Sequence, residues 1–204
     1  MEDCIRTFVA SLAEQPHTET TYNPYRNAAA RDNLAQYLRA VCAQSGRRIL
    51  MVGEALGYRG GRLTGIPFSS ERLLRQAPHP FLRALHDRVA ISGNTSEATA
   101  TLVWAALARR RRIPLFWNAF PFHPHRRGEP ASNRAPTADE IAGGQAYLQR
   151  LAALYRPQLI AGLGNKGCLA VHRALPGERI AALRHPSYGG KADFERGLSR
   201  LLQA

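Results

Sequence analysis

Four short apolar runs, each long enough for one β-strand, constrain the fold more than any other feature of the sequence. They are "RILMVGE" at 48–54, "PLFWNAF" at 114–120, "QLIAGLG" at 158–164 and "RIAALRHPS" at 179–187. Segments with helical signals separate these runs, and this alternation is typical of a parallel sheet that helices cover on both faces. We therefore predict an α/β fold, a three-layer α/β/α sandwich around a central four-stranded parallel sheet.

Helix signals fill the gaps between these runs. "TADE" at 137–140 is a capping box that opens a helix to about Tyr155. Another helix is predicted from near Ser96, with the basic run "RRRR" at 109–112 in its last turn. Further helices are predicted at 28–43, 165–174 (capped by Asn165) and 193–203. The 204 residues contain no repeat or low-complexity linker, which favours a single domain, 1–204.

The charge balance predicts an anionic partner. The net charge is +13, and 26 of the 28 basic residues are arginine, with lysine only at Lys166 and Lys191. Arginine suits bidentate contacts with phosphate, so nucleic acid is the simplest partner. The alternative is an arginine-rich codon usage that leaves a solvated basic surface.

Other classes of protein are disfavoured. No apolar run approaches the roughly 20 residues of a membrane span, and the N-terminal stretch lacks the order of a signal peptide. We predict a cytoplasmic protein with no membrane partner. Three scattered cysteines without a CxxC pair offer neither a disulfide framework nor a metal cage. We interpret "HPH" at 123–125 as a loop, and we predict no metal, no cofactor and no need for more than a monomer.

The most distinctive sequences follow the ends of the predicted strands. They are "GEALG" at 53–57, "NAFPFHPH" at 118–125, "GLGNKG" at 162–167 and "HPSYGG" at 185–190. In open α/β sheets, ligands bind outside the carboxyl ends of the strands. Four such loops are therefore expected to converge on one crevice.

Glu54 and Phe68 have two interpretations each. The first loop, residues 53–71, lacks the pattern of a P-loop or of a dinucleotide fingerprint. Glu54 is either a catalytic carboxylate or a helix-cap acceptor, and Phe68 is either a core anchor or a stacking platform. After His185, the hydroxyl of Ser187 and the backbone of Gly189 suit a phosphate.

The combined motifs, over about residues 47–190, resemble the uracil-DNA glycosylase superfamily, and most closely its iron–sulfur family 4. "GEALG" looks like that family's GEAPG, and "GIPF" at 65–68 like its G-x-P-F. "SNRAPTADEI" at 132–141 is similar to its N-R-x-P-x-x-x-E-I, and "LIAGLGNKG" and "HPSY" resemble its later motifs. The resemblance implies a uracil-DNA glycosylase-like fold.

The sequence departs from family 4 in three places. No cysteine occurs between Cys42 and Cys168, so we predict that there is no iron–sulfur cluster. Leu56 replaces the usual proline. "YRGGR" at 58–62 is basic where the family is acidic, which leaves the route of thymine exclusion open.

The resemblance implies a monofunctional DNA glycosylase of base excision repair. It would flip deoxyuridine out of single- or double-stranded DNA, hydrolyse the N-glycosidic bond and leave an abasic site. His185 would donate a hydrogen bond to uracil O2, and Glu54 would position the water. Uracil binding would fall to four residues, Gly53, Ala55, Phe68 and Asn118.

The resemblance also implies DNA contacts outside the base pocket. Ser187, Gly189, Lys191 and Arg134 would hold phosphates, and Tyr188 would fill the gap left in the base stack. Two alternatives stay open: a glycosylase for another deaminated base such as hypoxanthine, and a DNA-binding module that holds abasic or damaged sites with little turnover. The absence of clustered aspartates that could bind a metal disfavours a third hypothesis, a nucleotidase or phosphatase.

Overall fold

The computed structural model describes residues 1–187 and 189–203. Its helices are α1 (Glu2–Ala13), α2 (Ala28–Cys42), α3 (Gly61–Thr64), α4 (Glu71–Gln76), α5 (Pro80–His86), α6 (Ala98–Leu107), α7 (Ala138–Tyr155), α8 (Gly164–Ala174) and α9 (Lys191–Gln203). Its strands are β1 (Thr21–Tyr22), β2 (Ile49–Ala55), β3 (Leu115–Phe120), β4 (His123–Pro124), β5 (Leu159–Leu163) and β6 (Ile180–Leu183).

The central sheet contains the four predicted strands, and all of them are parallel in the order β3-β2-β5-β6. The prediction of a four-stranded parallel sheet is therefore confirmed. β6 ends at Leu183, earlier than the predicted run, so that His185 lies in the loop beyond the strand. "HPH" at 123–125 was expected to be a loop, but His123 and Pro124 form β4, which pairs antiparallel with β1 in a separate two-stranded sheet.

Helices cover both faces of the central sheet. Phe116 and Trp117 are consecutive in β3, so their side chains point to opposite faces. The Phe116 ring contacts Trp104 of α6, whereas the Trp117 ring contacts Phe8 of α1. α1 packs on α7, α7 on α8, and α8 on the strands, while α9 contacts α6 and β6. This arrangement is the three-layer sandwich that the sequence predicts.

The helix boundaries follow local capping, with two corrections. α7 begins with the predicted capping box between Thr137 and Glu140 and ends at Tyr155. α6 ends at Leu107, so the prediction that "RRRR" forms its last turn was wrong. The run lies beyond the helix, where His79 Nε2 forms a hydrogen bond of 2.6 Å with the main-chain oxygen of Arg110. α8 begins at Gly164, one residue before Asn165, and has no side-chain cap.

The core is a cluster of buried apolar residues that reaches from α1 to α9 and includes the inner strands. Leu50, Met51 and Val52 of β2 are fully buried, as are Leu115 and Phe116 of β3. Among the described helices, none is both long and apolar enough to cross a membrane. The core therefore fixes the positions at which β2 and β3 end, and both ends contribute to the site described next.

Candidate active site

A cavity of about 440 Å³ opens at the carboxyl edge of the central sheet. This volume lies in the roughly 300–1,000 Å³ range of small-molecule sites. All four strand-end sequences contribute lining residues. These are Glu54 and Ala55 at the end of β2, Asn118 in β3, Lys166 in α8, and His185 and Ser187 after β6. Phe68 from the first loop completes the wall.

Gly53 lets two of the predicted uracil-binding side chains approach each other. It pairs with Asn118 across β2 and β3. A Cβ atom at Gly53 would lie 2.4 Å from Phe68 Cζ and 2.9 Å from Asn118 Oδ1, closer than real Cβ contacts allow. Glycine is therefore needed here for space, and the ring and the carboxamide converge over the end of β2. Asn118 is only 3% exposed.

The position of Phe68 is compatible with both of the roles considered for it. It is half-buried, and its ring centroid lies 5.2 Å from that of Phe116 in the core. The same side chain lines the cavity. Its backbone is in the left-handed region (φ 53°), which is uncommon for a bulky residue. Trp104 Nε1–H donates a hydrogen bond of 2.8 Å to the main-chain oxygen of Phe68, and this bond stabilises the conformation.

His185 presents one ring nitrogen to the cavity as a donor. The backbone N–H of Ser187 donates to His185 Nδ1 at 3.2 Å, so the proton of the neutral ring is on Nε2. Burial lowers the pKa of His185, and the carboxylates of Glu54 and Glu97 oppose this shift. The imidazole is therefore suited to act as a neutral hydrogen-bond donor at pH 7.

Glu54 lies within β2, and its carboxylate pairs with Lys166 rather than with the backbone of a helix terminus. The Lys166 Nζ to Glu54 Oε1 distance is 2.6 Å. The side chains are 44% and 39% exposed, and such pairs contribute only about 0–1 kcal/mol to stability. Sequence reasoning missed Lys166 as a site residue. Its position after β5 was the available signal, because that loop was expected to reach the crevice.

Glu97 is a second carboxylate in the cavity wall that the sequence did not reveal. It is the N-cap of α6 and accepts hydrogen bonds from the N–H groups of Thr99 and Ala100. Its position beside the predicted start of this helix could have suggested a cap, but no local signal places it in the same cavity as His185. Thr99 Oγ1 lies 3.5 Å from Ser187 Oγ and joins this wall to the His185 loop.

The other predicted DNA contacts differ in how the structure places them. Ser187 lines the cavity mouth. Gly189 has a φ of 77°, and a side chain there would meet nothing within 4 Å. Lys191 begins α9, and its Nζ lies 3.9 Å from Glu195. Tyr188, the predicted wedge, lies outside the described residues.

Arg134 lines the cavity, but its guanidinium is engaged inside the protein. It donates to both carboxylate oxygens of Glu140, and to the main-chain oxygens of Thr20, His125 and Ala135. These bonds use all five N–H donors of the side chain. A phosphate contact would require breaking them, so the geometry favours a structural role over the expected phosphate contact.

The Arg134–Glu140 pair makes stability depend on acid pH. Although burial opposes the shift, the hydrogen bonds from Arg134, Thr137 and Thr21 lower the pKa of Glu140 to about 2, from 4.5. The stabilisation is therefore present above pH 4.5 and is lost as pH falls towards 2. We expect Glu140→Gln, which keeps a capping residue, to lower the free energy of unfolding by about 2 kcal/mol at pH 7. Urea denaturation at pH 7 and pH 3 should show the gap to wild type narrowing in acid.

Glu129→Gln is the matched control for this prediction. Its ion pair with Arg126 is largely exposed, with side chains 58% and 65% accessible, and should contribute less than about 1 kcal/mol. An equal loss of stability in both variants, or a gap that does not change with pH, would contradict the assignment of the shift to Glu140.

His123 anchors the first loop from beneath. The fully buried ring has Nδ1 2.8 Å from the main-chain oxygen of Leu56, and Nε2 3.3 Å from that of Pro130. The stacked His125 ring lies 5.7 Å away. Across the described ranges, no three His, Cys, Asp or Glu side chains come together as a metal site would require.

The fold and the cavity together define a class of protein. A cavity lined by an aromatic ring, a buried carboxamide and a neutral hydrogen-bond donor is suited to a heterocyclic base. The family model "Uracil DNA glycosylase superfamily" matches residues 40–201, and the chain belongs to this superfamily. Membership supports a DNA glycosylase that acts on DNA in repair.

A solved structure shows the same fold. The crystal structure of wild-type Pedobacter heparinus SMUG2 superposes with a TM-score of 0.67 at 14% sequence identity, over 98% of this chain and 99% of that chain. No curated protein matches this sequence closely enough to be counted as a relative. The structural likeness therefore supports the fold, and specificity must be argued from the residues of the cavity.

Proposed function

We propose that the protein is a uracil-DNA glycosylase that hydrolyses the N-glycosidic bond of deoxyuridine in DNA and leaves an abasic site. The observation that carries this proposal is the arrangement of Asn118 beside Gly53 and Phe68. A buried carboxamide can accept from uracil N3–H and donate to O4, while the ring stacks on the base. Cytosine presents an acceptor and a donor instead, so the wrong base leaves buried polar groups unpaired.

The base must reach this site by leaving the DNA stack, at a cost of a few kcal/mol. Ala55 and Gly57 line the cavity next to Gly53 and leave room for a flat ring. The basic net charge of +13 favours the phosphate backbone, and Ser187 and Lys191 are the candidates to hold phosphates near the flipped nucleotide. Arg134 has the structural role described above.

Bond cleavage would leave negative charge on the base and positive character on the sugar. The Nε2–H of His185 is available to donate to uracil O2 as that charge develops, which is stabilisation of the oxyanion-hole type. The carboxylate of Glu54 would stabilise the cationic sugar and orient the attacking water. The ion pair with Lys166, at 2.6 Å, limits the rotation of that carboxylate.

The proposal is tested by base release from labelled oligonucleotides that contain one uracil, hypoxanthine or thymine mismatch, or a uracil in a single strand. We expect release of uracil and not of thymine. Preferred release of hypoxanthine would change the substrate. Tight binding without release of any base would reject the proposal in favour of a damage-binding module.

Asn118→Ala tests the assignment of the base-reading residue. Loss of a buried partner costs about 1–3 kcal/mol, so we expect uracil excision to fall by about 10- to 100-fold. Asn94→Ala, at an exposed position outside the cavity, is the matched control and should behave as wild type. Equal rates for the two variants in single-turnover assays would remove Asn118 from the proposed role.

A further inference from the structure

Lys166 is an unusual choice of residue for its position. It lies in the first turn of α8, where the helix dipole disfavours a cation. Its Nζ reaches the cavity and lies 2.6 Å from Glu54 Oε1. Since neither helix formation nor a half-exposed ion pair requires lysine here, the reason for it lies in the cavity.

The scarcity of lysine in this chain is a second reason to assign Lys166 a chemical role. The chain contains 26 arginines but only two lysines, and one of the two lies in the cavity. Arginine supplies positive charge for phosphate or carboxylate at least as well as lysine does. What lysine alone supplies is an amine that can be deprotonated and can form an imine with a carbonyl carbon. The position therefore combines a nucleophile with an adjacent carboxylate base.

We propose that Lys166 gives the protein a second activity, the cleavage of abasic DNA by β-elimination, which makes it an abasic-site lyase. This inference rests on the proposed function for its substrate, because the abasic sugar is the product of base release at the same cavity. The ring-opened form of that sugar has an aldehyde at C1′. The lyase activity would make the protein bifunctional, whereas the resemblance in the sequence implies a monofunctional glycosylase.

The atoms balance without any oxidant or reductant. Glu54 accepts a proton from the Lys166 ammonium, and the amine adds to the C1′ aldehyde. The carbinolamine takes that proton and loses water, which leaves a protonated C1′–N imine. Glu54 then removes a proton from C2′, the C3′–O bond breaks, and the phosphate leaves with the bonding electron pair. Water hydrolyses the protonated imine, which releases an unsaturated aldehyde on one DNA fragment and restores the Lys166 ammonium, and Glu54 releases the C2′ proton to water.

The test uses a labelled oligonucleotide with a single abasic site made by chemical depurination, incubated with the full-length protein and sodium borohydride. Borohydride reduces an imine to a stable secondary amine, so a covalent adduct should appear on a denaturing gel. An oligonucleotide with a tetrahydrofuran site, which lacks the aldehyde, should give none. Without borohydride, the abasic strand should be cut without alkali.

Two lysine variants assign the adduct. Lys166→Arg keeps a cation beside Glu54 but cannot form an imine, and we expect its adduct yield to fall at least tenfold. Lys191→Arg removes the other lysine and should still form an adduct, even if weaker DNA binding lowers its yield. Peptide mass spectrometry of the wild-type adduct should find the modification on Lys166. This measurement identifies the reacting amine even if Lys166→Arg folds poorly.

The outcomes separate this inference from the proposed function. The abasic probe needs no base release, and uracil release is scored in parallel by alkaline cleavage of a uracil oligonucleotide. An adduct on Lys166 without uracil release would leave the lyase standing and reject the glycosylase. Uracil release with no adduct, or with an adduct on Lys191 or on the N-terminal amine, would overturn the lyase.

Discussion

Replacing His185 by alanine is expected to lower the rate of uracil release by about 100- to 1,000-fold. Loss of one preorganised donor to a developing oxyanion commonly costs about 2.7–4 kcal/mol in the barrier. His185 fits this role because the Ser187 N–H occupies Nδ1 at 3.2 Å, which leaves Nε2–H to face the cavity. Single-turnover kinetics with saturating protein measure the chemical step directly. The KM should change much less than kcat.

The pH profile provides a second readout for His185. Burial lowers its pKa below the ordinary 6.5, so the neutral ring persists into mildly acidic solution. Protonation at Nδ1 would break the hydrogen bond from Ser187 and misplace the ring. We therefore expect wild-type activity to fall with decreasing pH only below 6.5, and we expect the His185→Ala variant to lack this limb.

The control for this prediction is His172→Ala. His172 lies on the exposed side of α8, outside the cavity lining, and should release uracil at the wild-type rate. A His185→Ala variant that retains more than about a tenth of the wild-type rate would show that the donor to O2 is another group.

The second large effect is expected from adding a single methyl group at Gly53. Alanine is compatible with the backbone there, but its Cβ would lie 2.4 Å from Phe68 Cζ and 2.9 Å from Asn118 Oδ1. Both side chains must move, and a displacement of about 1 Å in a site can cost about 100-fold in rate. We expect Gly53→Ala to lower uracil release by at least that factor.

Gly143→Ala separates this local effect from a general effect of glycine replacement. Gly143 lies in α7, and a Cβ there meets nothing within 4 Å. Alanine should stabilise the helix by about 0.5–1 kcal/mol and leave uracil release unchanged. Thermal denaturation of both variants would show whether Gly53→Ala is folded. A folded Gly53→Ala protein within threefold of the wild-type rate would mean that Phe68 and Asn118 do not form the base-binding site.

The two carboxylates of the cavity have different positions and should not be treated as interchangeable. Glu97 is held by two backbone N–H groups at the start of α6. Glu54 is held by a lysine side chain. A carboxylate paired with a lysine ammonium can exchange a proton with that partner, whereas one that accepts two backbone N–H groups as a helix cap serves mainly to stabilise its helix. For this reason we assign to Glu54, and not to Glu97, the orientation of the attacking water and the proton transfers of the lyase step.

The layered fold could be predicted because its signals are local. The apolar runs that became β2, β3 and β5 and the capping box at Thr137 each report their element within a few residues. The convergence of the strand-end loops also followed, since parallel strands place their carboxyl ends at one edge. The last strand was predicted too long because the run at 179–187 includes the polar residues 184–187, whereas the pairing with β5 ends at Leu183.

The roles of individual polar side chains could be predicted only in part. Arg134 stands in a motif that suggests phosphate binding, yet its partners include Thr20 and Glu140, which are separated by 120 residues in the chain. Lys166 and Glu54 are likewise far apart in sequence and meet only across β2 and α8. No pattern in a single sequence reports such pairs.

The sequence by itself determined the elements, the order of the motifs and the edge of the sheet at which a ligand would bind. The tertiary structure alone decided which side chains meet there. In the folded protein, Arg134 donates its hydrogen bonds inside the protein, Glu97 lies in the cavity wall and Lys166 pairs with Glu54. The physical reason is that capping and strand patterns depend on neighbouring residues, whereas hydrogen bonds and ion pairs between elements depend on how the packed core brings distant segments together.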